Sequence, residues 1–385
     1  MTSHIFILGR VPALAFAELK TFFPDIRLVS QSVAASDHPL ALPADLFITK
    51  LGGTVKIAEA LGRVNAISAE SLAPFITHAS GRVVFGVSVY GQELKASRQL
   101  LEDIKERIGA LGISARFVEA RKGTTLSSVV VAKDKLVELI LVKQDDGYIV
   151  GKTIAVQPFE DWGERDFGRP YADPVAGMLP PKVARMVVNI ADGSRDISRP
   201  LAQKTLLDPF CGMGTILGEA LMMGWNAMGS DISAEVVEKA RGNLHWLTKK
   251  PEAVPGVTFR LDVADAVHVS TIATPQSVDA IVTEPYMGDA RKLQSGKKAD
   301  VQYVKNIIKG LEKLYIGCLR DWHKVLKKGG VVVMALPIYN INGKTYFVKK
   351  VIDMCEMLGY TTLAGPIEYS RPQAVVKRNF FVWHT

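Results

Sequence analysis

Two short stretches of the sequence combine residue types that can do chemistry together. Residues 208–215 read Asp-Pro-Phe-Cys-Gly-Met-Gly-Thr, and residues 283–286 read Thr-Glu-Pro-Tyr. The first stretch follows an apolar run and precedes a helical pattern, which is typical of a glycine turn at the carboxyl edge of a parallel sheet. The second stretch ends another apolar run, at 279–282. We therefore expect a nucleoside-like ligand beside a pocket for a planar amine.

The glycine turn itself suggests the kind of ligand. Gly212 and Gly214 allow the backbone to pass close to a bound molecule. Asp208 closes the strand and is expected to accept hydrogen bonds from a cationic or amine-bearing ligand, and Thr215 is expected to cap the next helix. The turn lacks the third glycine of Gly-x-Gly-x-x-Gly, so a sulfonium ligand fits better here than a dinucleotide.

Acidic residues also mark the ends of the next two predicted strands. Asp231 is placed to accept both hydroxyls of a ribose, and Asp262 to accept from an adenine amino group. The alternative is a plain Rossmann-like turn with structural glycines, but three acidic strand ends in register favour a cofactor site. The residues predicted to bind the cofactor are Pro180, Asp208, Phe210, Cys211, Gly212, Gly214, Thr215, Asp231, Ile232, Asp262 and Val263.

The second stretch resembles the Asp/Asn-Pro-Pro-Tyr/Phe motif of methyltransferases that act on exocyclic amino groups. In that motif a side-chain oxygen and a backbone carbonyl accept the two amine hydrogens, an aromatic ring stacks on the base, and catalysis is mostly positioning. The predicted catalytic residues are Thr283, Glu284, Pro285 and Tyr286. The chain departs from the motif at its first two residues. Either Glu284 takes over the acceptor role, or the backbone carbonyls suffice.

Composition limits the protein class. A length of 385 residues predicts two or three domains, and 48% hydrophobic with 22% charged residues indicates folded cores. No apolar run reaches the roughly 18 residues of a membrane span, and the N-terminus reads as a strand rather than a signal peptide. The three cysteines lack Cys-x-x-Cys spacing, which predicts no metal site and a reducing cytoplasm. The net charge of +8 is compatible with a nucleic-acid partner.

The pattern of elements predicts three folded parts. Residues 1–65 and 66–158 each read as small α+β units, with a strand expected at 46–50 and another strand or edge at 55–61. Residues 159–178 are rich in glycine and proline and are predicted to be a linker. Residues 179–385 alternate strands and helices, as in an α/β domain, and end in two strands that form a hairpin.

With these residues in view, the C-terminal half resembles class I S-adenosylmethionine-dependent RNA methyltransferases. It is similar in particular to the tRNA guanine-N2 methyltransferases that modify position ten. The likeness also rests on residues 169–184, ahead of the glycine turn, and on Lys-Lys-Gly-Gly at 327–330. The resemblance implies a Rossmann-like fold with a seven-stranded sheet and terminal β-hairpin, S-adenosyl-L-methionine as cofactor, and N2 methylation of a guanosine in tRNA.

The N-terminal half resembles the companion part of that family, a ferredoxin-like unit (1–65) followed by a THUMP RNA-binding domain (66–158). This likeness rests on residues 8–10, 51–57, 85–91 and 115–118. It implies a tRNA partner, with or without a small activator subunit, no membrane, and a cytoplasmic location. The residues expected to contact RNA phosphates are Arg116, Arg121, Lys122, Lys133 and, in a basic flap after the second motif, Arg291 and Lys292.

Two other functions remain open. A DNA or RNA adenine-N6 methyltransferase shares the same order of motifs, although a THUMP-like domain argues against DNA. A catalytically silent tRNA-binding homologue would keep the fold without the reaction. The neutral Thr283, where the motif has Asp or Asn, is the main support for that alternative.

Overall fold

The computed structural model describes residues 3–76, 82–92, 94–133, 136–172, 178–193, 204–288, 301–370 and 376–385. Within these residues the chain forms two units, each built around one sheet. The first unit ends at Asp161 and the second begins at Trp162. No helix in the described ranges is long and apolar enough to cross a membrane.

The first unit starts with the β-α-β-β-α-β order of a ferredoxin-like fold. Its elements are β1 (His4–Leu8), α1 (Pro12–Lys20), β2 (Arg27–Ser30), β3 (Val33–Ser36), α2 (Ala44–Lys50) and β4 (Thr54–Val64). The strands lie in the order β2-β3-β1-β4 and are antiparallel throughout. The predicted ferredoxin-like unit is therefore confirmed.

The rest of the first unit extends the same sheet. It contains α3 (Ala69–Leu72), a 3-10 turn (Ala73–Phe75), β5 (Val83–Tyr90), α4 (Arg98–Gly109), β6 (Ala115–Phe117), α5 (Ser128–Lys133), β7 (Val137–Gln144) and β8 (Gly147–Val156). Because β4 pairs with β8, one eight-stranded sheet, ending β4-β8-β7-β5-β6, runs through both predicted N-terminal parts. The boundary predicted between residues 65 and 66 falls directly after β4, and the predicted domain limits stay predictions.

One of the sequence-based predictions in this unit is wrong. Residues 46–50, predicted as a strand, belong to α2, which follows Pro43 and buries only Phe47 and Ile48. A five-residue apolar run does not distinguish a strand from a buried helix turn, and here one-sided burial selects the helix. The strand predicted at 55–61 is confirmed as part of β4, which lies inside the sheet between β1 and β8. Strands β2 and β3, which are only four residues each, were not predicted.

The second unit has the alternating order of a Rossmann-like fold. Its helices and turns are α6 (Phe159–Phe167, which starts in the first unit), α7 (Pro181–Asp192), α8 (Thr215–Met222), α9 (Ala234–Thr248), a 3-10 turn (Ala266–Thr271), α10 (Val301–Val325), α11 (Lys349–Met354) and a 3-10 turn (Glu356–Leu358). Its strands are β9 (Thr205–Asp208), β10 (Asn226–Asp231), β11 (Phe259–Val263), β12 (Val278–Thr283), β13 (Leu326–Ile341), β14 (Lys344–Phe347), β15 (Thr361–Tyr369) and β16 (Val376–His384).

The sheet of the second unit confirms the predicted topology. Seven strands lie in the order β11-β10-β9-β12-β13-β16-β15, with the first five parallel and the β15-β16 hairpin antiparallel. A short eighth strand, β14, pairs with the far end of β13 and was not predicted. Helix α10 buries Trp322 and Leu319 in the core beneath this sheet.

Residues 159–178, predicted to be a linker, include the helix α6. Glu160 and Asp161 occupy its first turn, where negative charge interacts well with the helix dipole. Trp162 is 3% exposed and anchors the helix, and Arg165 lies 3.9 Å above its ring. Burial of this side chain outweighs the glycine at position 163, which on its own favours a break.

Candidate active site

Four parallel strands carry the predicted site residues to one edge of the second sheet. Asp208 ends β9, Asp231 ends β10, and Thr283 ends β12. Asp262 lies one residue before the end of β11, because that strand starts and stops two residues later than predicted. Since parallel strands end at a common edge, residues that are 75 positions apart in sequence meet here.

The glycine turn has the backbone that its sequence predicts. Gly212 and Gly214 adopt φ values of +49° and +79°, and Gly214 is the N-cap of α8. A Cβ atom added to Gly212 would meet only the Phe210 carbonyl oxygen, at 4.0 Å, so this face of the turn is open. Thr215 was predicted to cap α8, which is wrong. It is the first helical residue, and its hydroxyl accepts a hydrogen bond from Arg169 at 2.9 Å.

Asp208 is the most perturbed acid of the site. It is 2% exposed, and its Oδ1 accepts hydrogen bonds from the Thr283 hydroxyl at 2.6 Å and from the Phe210 N–H at 3.1 Å. Burial, together with the negative charges of Asp231 and Glu284, raises the pKa of Asp208 from 3.8 to about 7, although its two hydrogen bonds oppose that shift. The carboxyl group is therefore poised between its two protonation states near neutral pH.

The ends of strands β10 and β11 carry Asp231 and Asp262, each followed by an exposed apolar residue. Asp231 accepts hydrogen bonds from the N–H groups of Gly212, at 3.3 Å, and Ser233, at 3.0 Å, which fixes the carboxylate beside the turn. Ile232 is 76% exposed and Val263 is 55% exposed, although both are apolar. The Asp262 carboxylate lies 2.9 Å from Arg260 Nε and forms an ion pair with that side chain.

The remaining predicted cofactor residues frame the turn. Pro180 is the N-cap of α7, and Pro181 opens that helix as predicted. Phe210 packs against the core of the second unit. Cys211 is buried, which raises the pKa of its thiol, and its N–H donates to the Ser230 carbonyl at 2.9 Å. These residues shape the turn through packing and backbone contacts.

Thr283 and Glu284 have different surroundings. Thr283 is fully buried, and its hydroxyl donates to Asp208 inside the fold. Glu284 is the first residue after β12, and its Oε1 accepts a hydrogen bond from Arg378 Nε on β16. No described residue donates to Glu284 Oε2, and the side chain keeps 15% exposure. Thr283 is therefore enclosed within the fold, whereas the Glu284 carboxylate is accessible.

Two buried tyrosines hold the loop after Glu284. The Tyr315 hydroxyl, on α10, donates to the Tyr286 carbonyl at 2.5 Å, and the Tyr339 hydroxyl, on β13, donates to the Met287 carbonyl. The ring of Tyr286 is 58% exposed. Burial raises the pKa of both tyrosine hydroxyls, so they remain donors at neutral pH. These tyrosines and Arg378 were not predicted, because no local sequence pattern distinguishes them.

The chain ahead of the glycine turn is tied to it. Asn243 of α9 accepts from the Tyr171 N–H at 2.9 Å and donates to the carbonyls of Tyr171 and Met213, at 2.9 and 3.0 Å. Arg169, 5% exposed, donates to Thr215. Residues 169–171, which begin the segment ahead of the glycine turn on which the family resemblance rests, therefore dock directly on the turn and on the start of α8.

The residues predicted to contact RNA are distributed as follows. Arg116 lies on the edge strand β6, Arg121 and Lys122 in the segment between β6 and α5, and Lys133 at the end of α5. All four are exposed in the first unit and have no ion pair within the described ranges. Arg291 and Lys292 lie outside the described residues.

Comparison with known proteins shows what this part of the chain is similar to. Residues 175–344 match the family model of the RMKL-like methyltransferase domain (UPF0020). This part of the chain therefore resembles a methyltransferase domain. The glycine turn and the Glu284 loop both lie within the matched residues of the methyltransferase domain.

Two curated relatives extend the likeness beyond this domain. A protein of Methanothermobacter thermautotrophicus named tRNA (guanine(10)-N2)-dimethyltransferase is 31% identical over 258 residues, 64% of this chain. A protein of the same name from Pyrococcus abyssi is 28% identical over 214 residues, 56% of this chain. The matches cover 66% and 51% of the two relatives, so the chain spans less than two thirds of either.

A solved structure shares the fold over the whole chain. The crystal structure of TrmN from Thermus thermophilus superposes with a TM-score of 0.51 at 18% identity and covers 100% of this chain and 99% of that one. At this level of identity the likeness is one of fold.

Proposed function

We propose that this protein is an S-adenosylmethionine-dependent tRNA methyltransferase that modifies the exocyclic N2 of guanosine, at position 10 as in the names of its relatives. The observation that carries the proposal is Glu284, placed where β12 ends beside the glycine turn, with one carboxylate oxygen to which no described residue donates a hydrogen bond. The sequence likeness to two proteins of that name supports the choice of guanine and of tRNA.

The residues at the turn fit the proposed cofactor. The open face of Gly212 leaves room for a ligand, and Asp231, fixed by two N–H groups, suits a ribose. The exposed apolar side chains of Ile232 and Val263 suit the two faces of an adenine ring. Asp208, adjacent to the turn, suits the positive charge of the methionine part. When bound, S-adenosylmethionine supplies the methyl group on a sulfonium leaving group.

The loop at residues 284–287 fits the amine. Glu284 Oε2 can accept a hydrogen of the 2-amino group and so orient the nitrogen lone pair. The nitrogen forms a bond to the methyl carbon as the carbon–sulfur bond breaks, and the amine then releases a proton to solvent. The exposed ring of Tyr286 offers a stacking surface for a base taken out of its helix. The work of the protein is mostly positioning, which the contacts of Tyr315 and Tyr339 support.

The first unit is proposed to bind tRNA as a THUMP-containing part, in a cytoplasmic protein that acts with or without a small activator subunit. The exposed cations Arg116, Arg121, Lys122 and Lys133 come from one continuous stretch between β6 and the end of α5. Phosphate contacts of this kind weaken steeply with salt. Exchange of all four for Ala should weaken tRNA binding and reduce its salt dependence, measured by filter binding, and leave S-adenosylmethionine affinity unchanged.

The proposed reaction is tested with radiolabelled S-adenosylmethionine, bulk tRNA and duplex DNA. Wild-type protein should label tRNA and leave duplex DNA unlabelled. Glu284→Ala should reduce the rate about 100-fold or more, because the amine loses its positioning acceptor. A matched control is Glu368→Ala, which removes an exposed glutamate paired with Lys377 on the same sheet and should be neutral. Labelling of DNA in place of tRNA, or full activity in Glu284→Ala, would overturn the proposal.

A further inference from the structure

Arg378 lies beyond the end of β12, on the part of the sheet that overhangs the site. Thr283, the last residue of β12, pairs with Met334, and Met334 pairs with Phe381. Arg378 is three residues further out, opposite Pro337. From this position its side chain returns over the sheet edge to Glu284, 94 residues away in sequence.

The guanidinium of Arg378 is held in place but keeps donors available. Its Nε donates to Glu284 Oε1, and its central carbon lies 5.7 Å from the ring centre of Tyr369. The side chains of Arg378 and Glu284 are 14% and 15% exposed. An arginine carries five N–H donors in a rigid plane, and within the described ranges only the Nε hydrogen has an acceptor. As far as the described residues show, the pair therefore presents N–H donors without an acceptor beside a carboxylate oxygen without a donor.

This arrangement matches the Watson–Crick edge of guanine. Guanine has the acceptor O6 beside the donors N1–H and N2–H₂, whereas adenine has a donor, N6–H₂, at the position of O6 and an acceptor at N1. An arginine next to a glutamate complements the first pattern and opposes the second. Sites built to form hydrogen bonds reject analogues that leave those groups unpaired.

We propose that Arg378 is a specificity-determining residue that donates a hydrogen bond to O6 of the target guanine while Glu284 accepts from the N1–H and N2 edge. This inference rests on the proposed function and adds to it the group that recognises the base. Arg378 comes from the terminal hairpin, so the last strand of the fold sets which base is methylated.

The test uses tRNA transcripts assembled by ligation, with either guanosine or 6-thioguanosine at position 10. The analogue keeps N1–H and the 2-amino group but replaces O6 by sulfur, a much weaker hydrogen-bond acceptor. Wild-type protein should prefer guanosine by about 10-fold to 100-fold in kcat/KM, the range expected for one hydrogen bond to a charged group. Arg378→Met should reduce this preference to within a few-fold, mainly through loss of activity on guanosine. Arg378→Lys should recover part of it.

Two controls keep the result interpretable. Lys377→Met changes the neighbouring residue, whose side chain pairs with the exposed Glu368, and should keep the wild-type preference. Calorimetry with S-adenosylmethionine should give wild-type affinity for Arg378→Met, which establishes that the variant folds. An unchanged preference in Arg378→Met, or an equal loss on both substrates, would overturn this inference alone. A wild-type protein that methylates no guanosine would overturn the proposed function together with it.

Discussion

Replacement of Asp208 by Asn should change how the stability of the second unit depends on pH. The carboxyl group is buried, and its pKa is raised from 3.8 to about 7. Between about pH 4 and pH 7 the folded state therefore keeps a proton that the unfolded chain has released. Since the folded state binds more protons in this window, the free energy of unfolding falls as pH rises through it.

The magnitude follows from the size of the shift. Each pKa unit corresponds to about 1.4 kcal/mol, so the carboxyl group accounts for a loss of at most about 4 kcal/mol between about pH 4 and pH 8. An asparagine has no such proton to lose, and its Oδ1 can still accept from Thr283 and Phe210. Relative to wild type, Asp208→Asn should become more stable as pH rises, by up to that amount.

Tryptophan fluorescence in urea is the assay. All five tryptophans lie at residue 162 or later, so the signal reports on the second unit. Wild type, Asp208→Asn and a surface control, Asp353→Asn, would be unfolded at several pH values between about 5 and 8. The control removes an exposed pair with Lys349 and should follow wild type. If the stability difference between Asp208→Asn and wild type does not change with pH, the carboxyl group is not perturbed and the reasoning is refuted.

Three other predictions concern cofactor affinity, the loop after Glu284 and the stability of the first unit. The affinity of wild-type protein for S-adenosylmethionine should rise about tenfold from pH 6 to pH 8, because a cationic ligand favours ionised Asp208. In Asp208→Asn the affinity measured by calorimetry should not change with pH. An equal pH dependence of affinity in the two proteins would contradict this role of Asp208. Tyr315→Phe and Tyr339→Phe should each slow methyl transfer by about 2-fold to 10-fold, as expected for one lost hydrogen bond. Neither substitution should change the affinity for S-adenosylmethionine. Unchanged rates in both variants would show that the loop is held by other contacts. In the first unit, Glu138→Ala leaves the buried Lys56 without its charged partner. The substitution should destabilise that unit by about 3 to 5 kcal/mol in thermal unfolding followed by circular dichroism. A loss below about 1 kcal/mol would argue against a buried ion pair.

The parts of the site that sequence predicted are those encoded locally. A glycine turn between an apolar run and a helical pattern can be recognised from the sequence alone, because positive φ favours glycine, here at Gly212 and Gly214. The acidic strand ends follow from the topology, since parallel strands share one edge. The helical pattern of α10 and the terminal hairpin were also readable from apolar spacing.

The parts that sequence did not give depend on contacts distant in the chain. Arg378 reaches Glu284 across 94 residues, and Tyr339 reaches Met287 across 52. The sequence around Arg378 and Tyr339 resembles that of any other strand and does not show that either residue contacts the site. Thr215 was expected to cap α8 from its type alone, but the approach of Arg169 gives its hydroxyl another partner. The proposal that Glu284 is the acceptor also required burial, which separates the internal Thr283 hydroxyl from the accessible Glu284 carboxylate.

The central claim is that this protein methylates the N2 of guanosine in tRNA, and nucleoside mass spectrometry tests it most directly. Unmodified tRNA transcript would be incubated with S-adenosylmethionine and either wild-type protein or Glu284→Ala, digested to nucleosides and analysed. We predict that N2-methylguanosine or its dimethyl form appears with wild type and falls about 100-fold or more with the variant. Methyladenosine, or no methylated nucleoside at all from wild-type protein that binds S-adenosylmethionine, would contradict the claim.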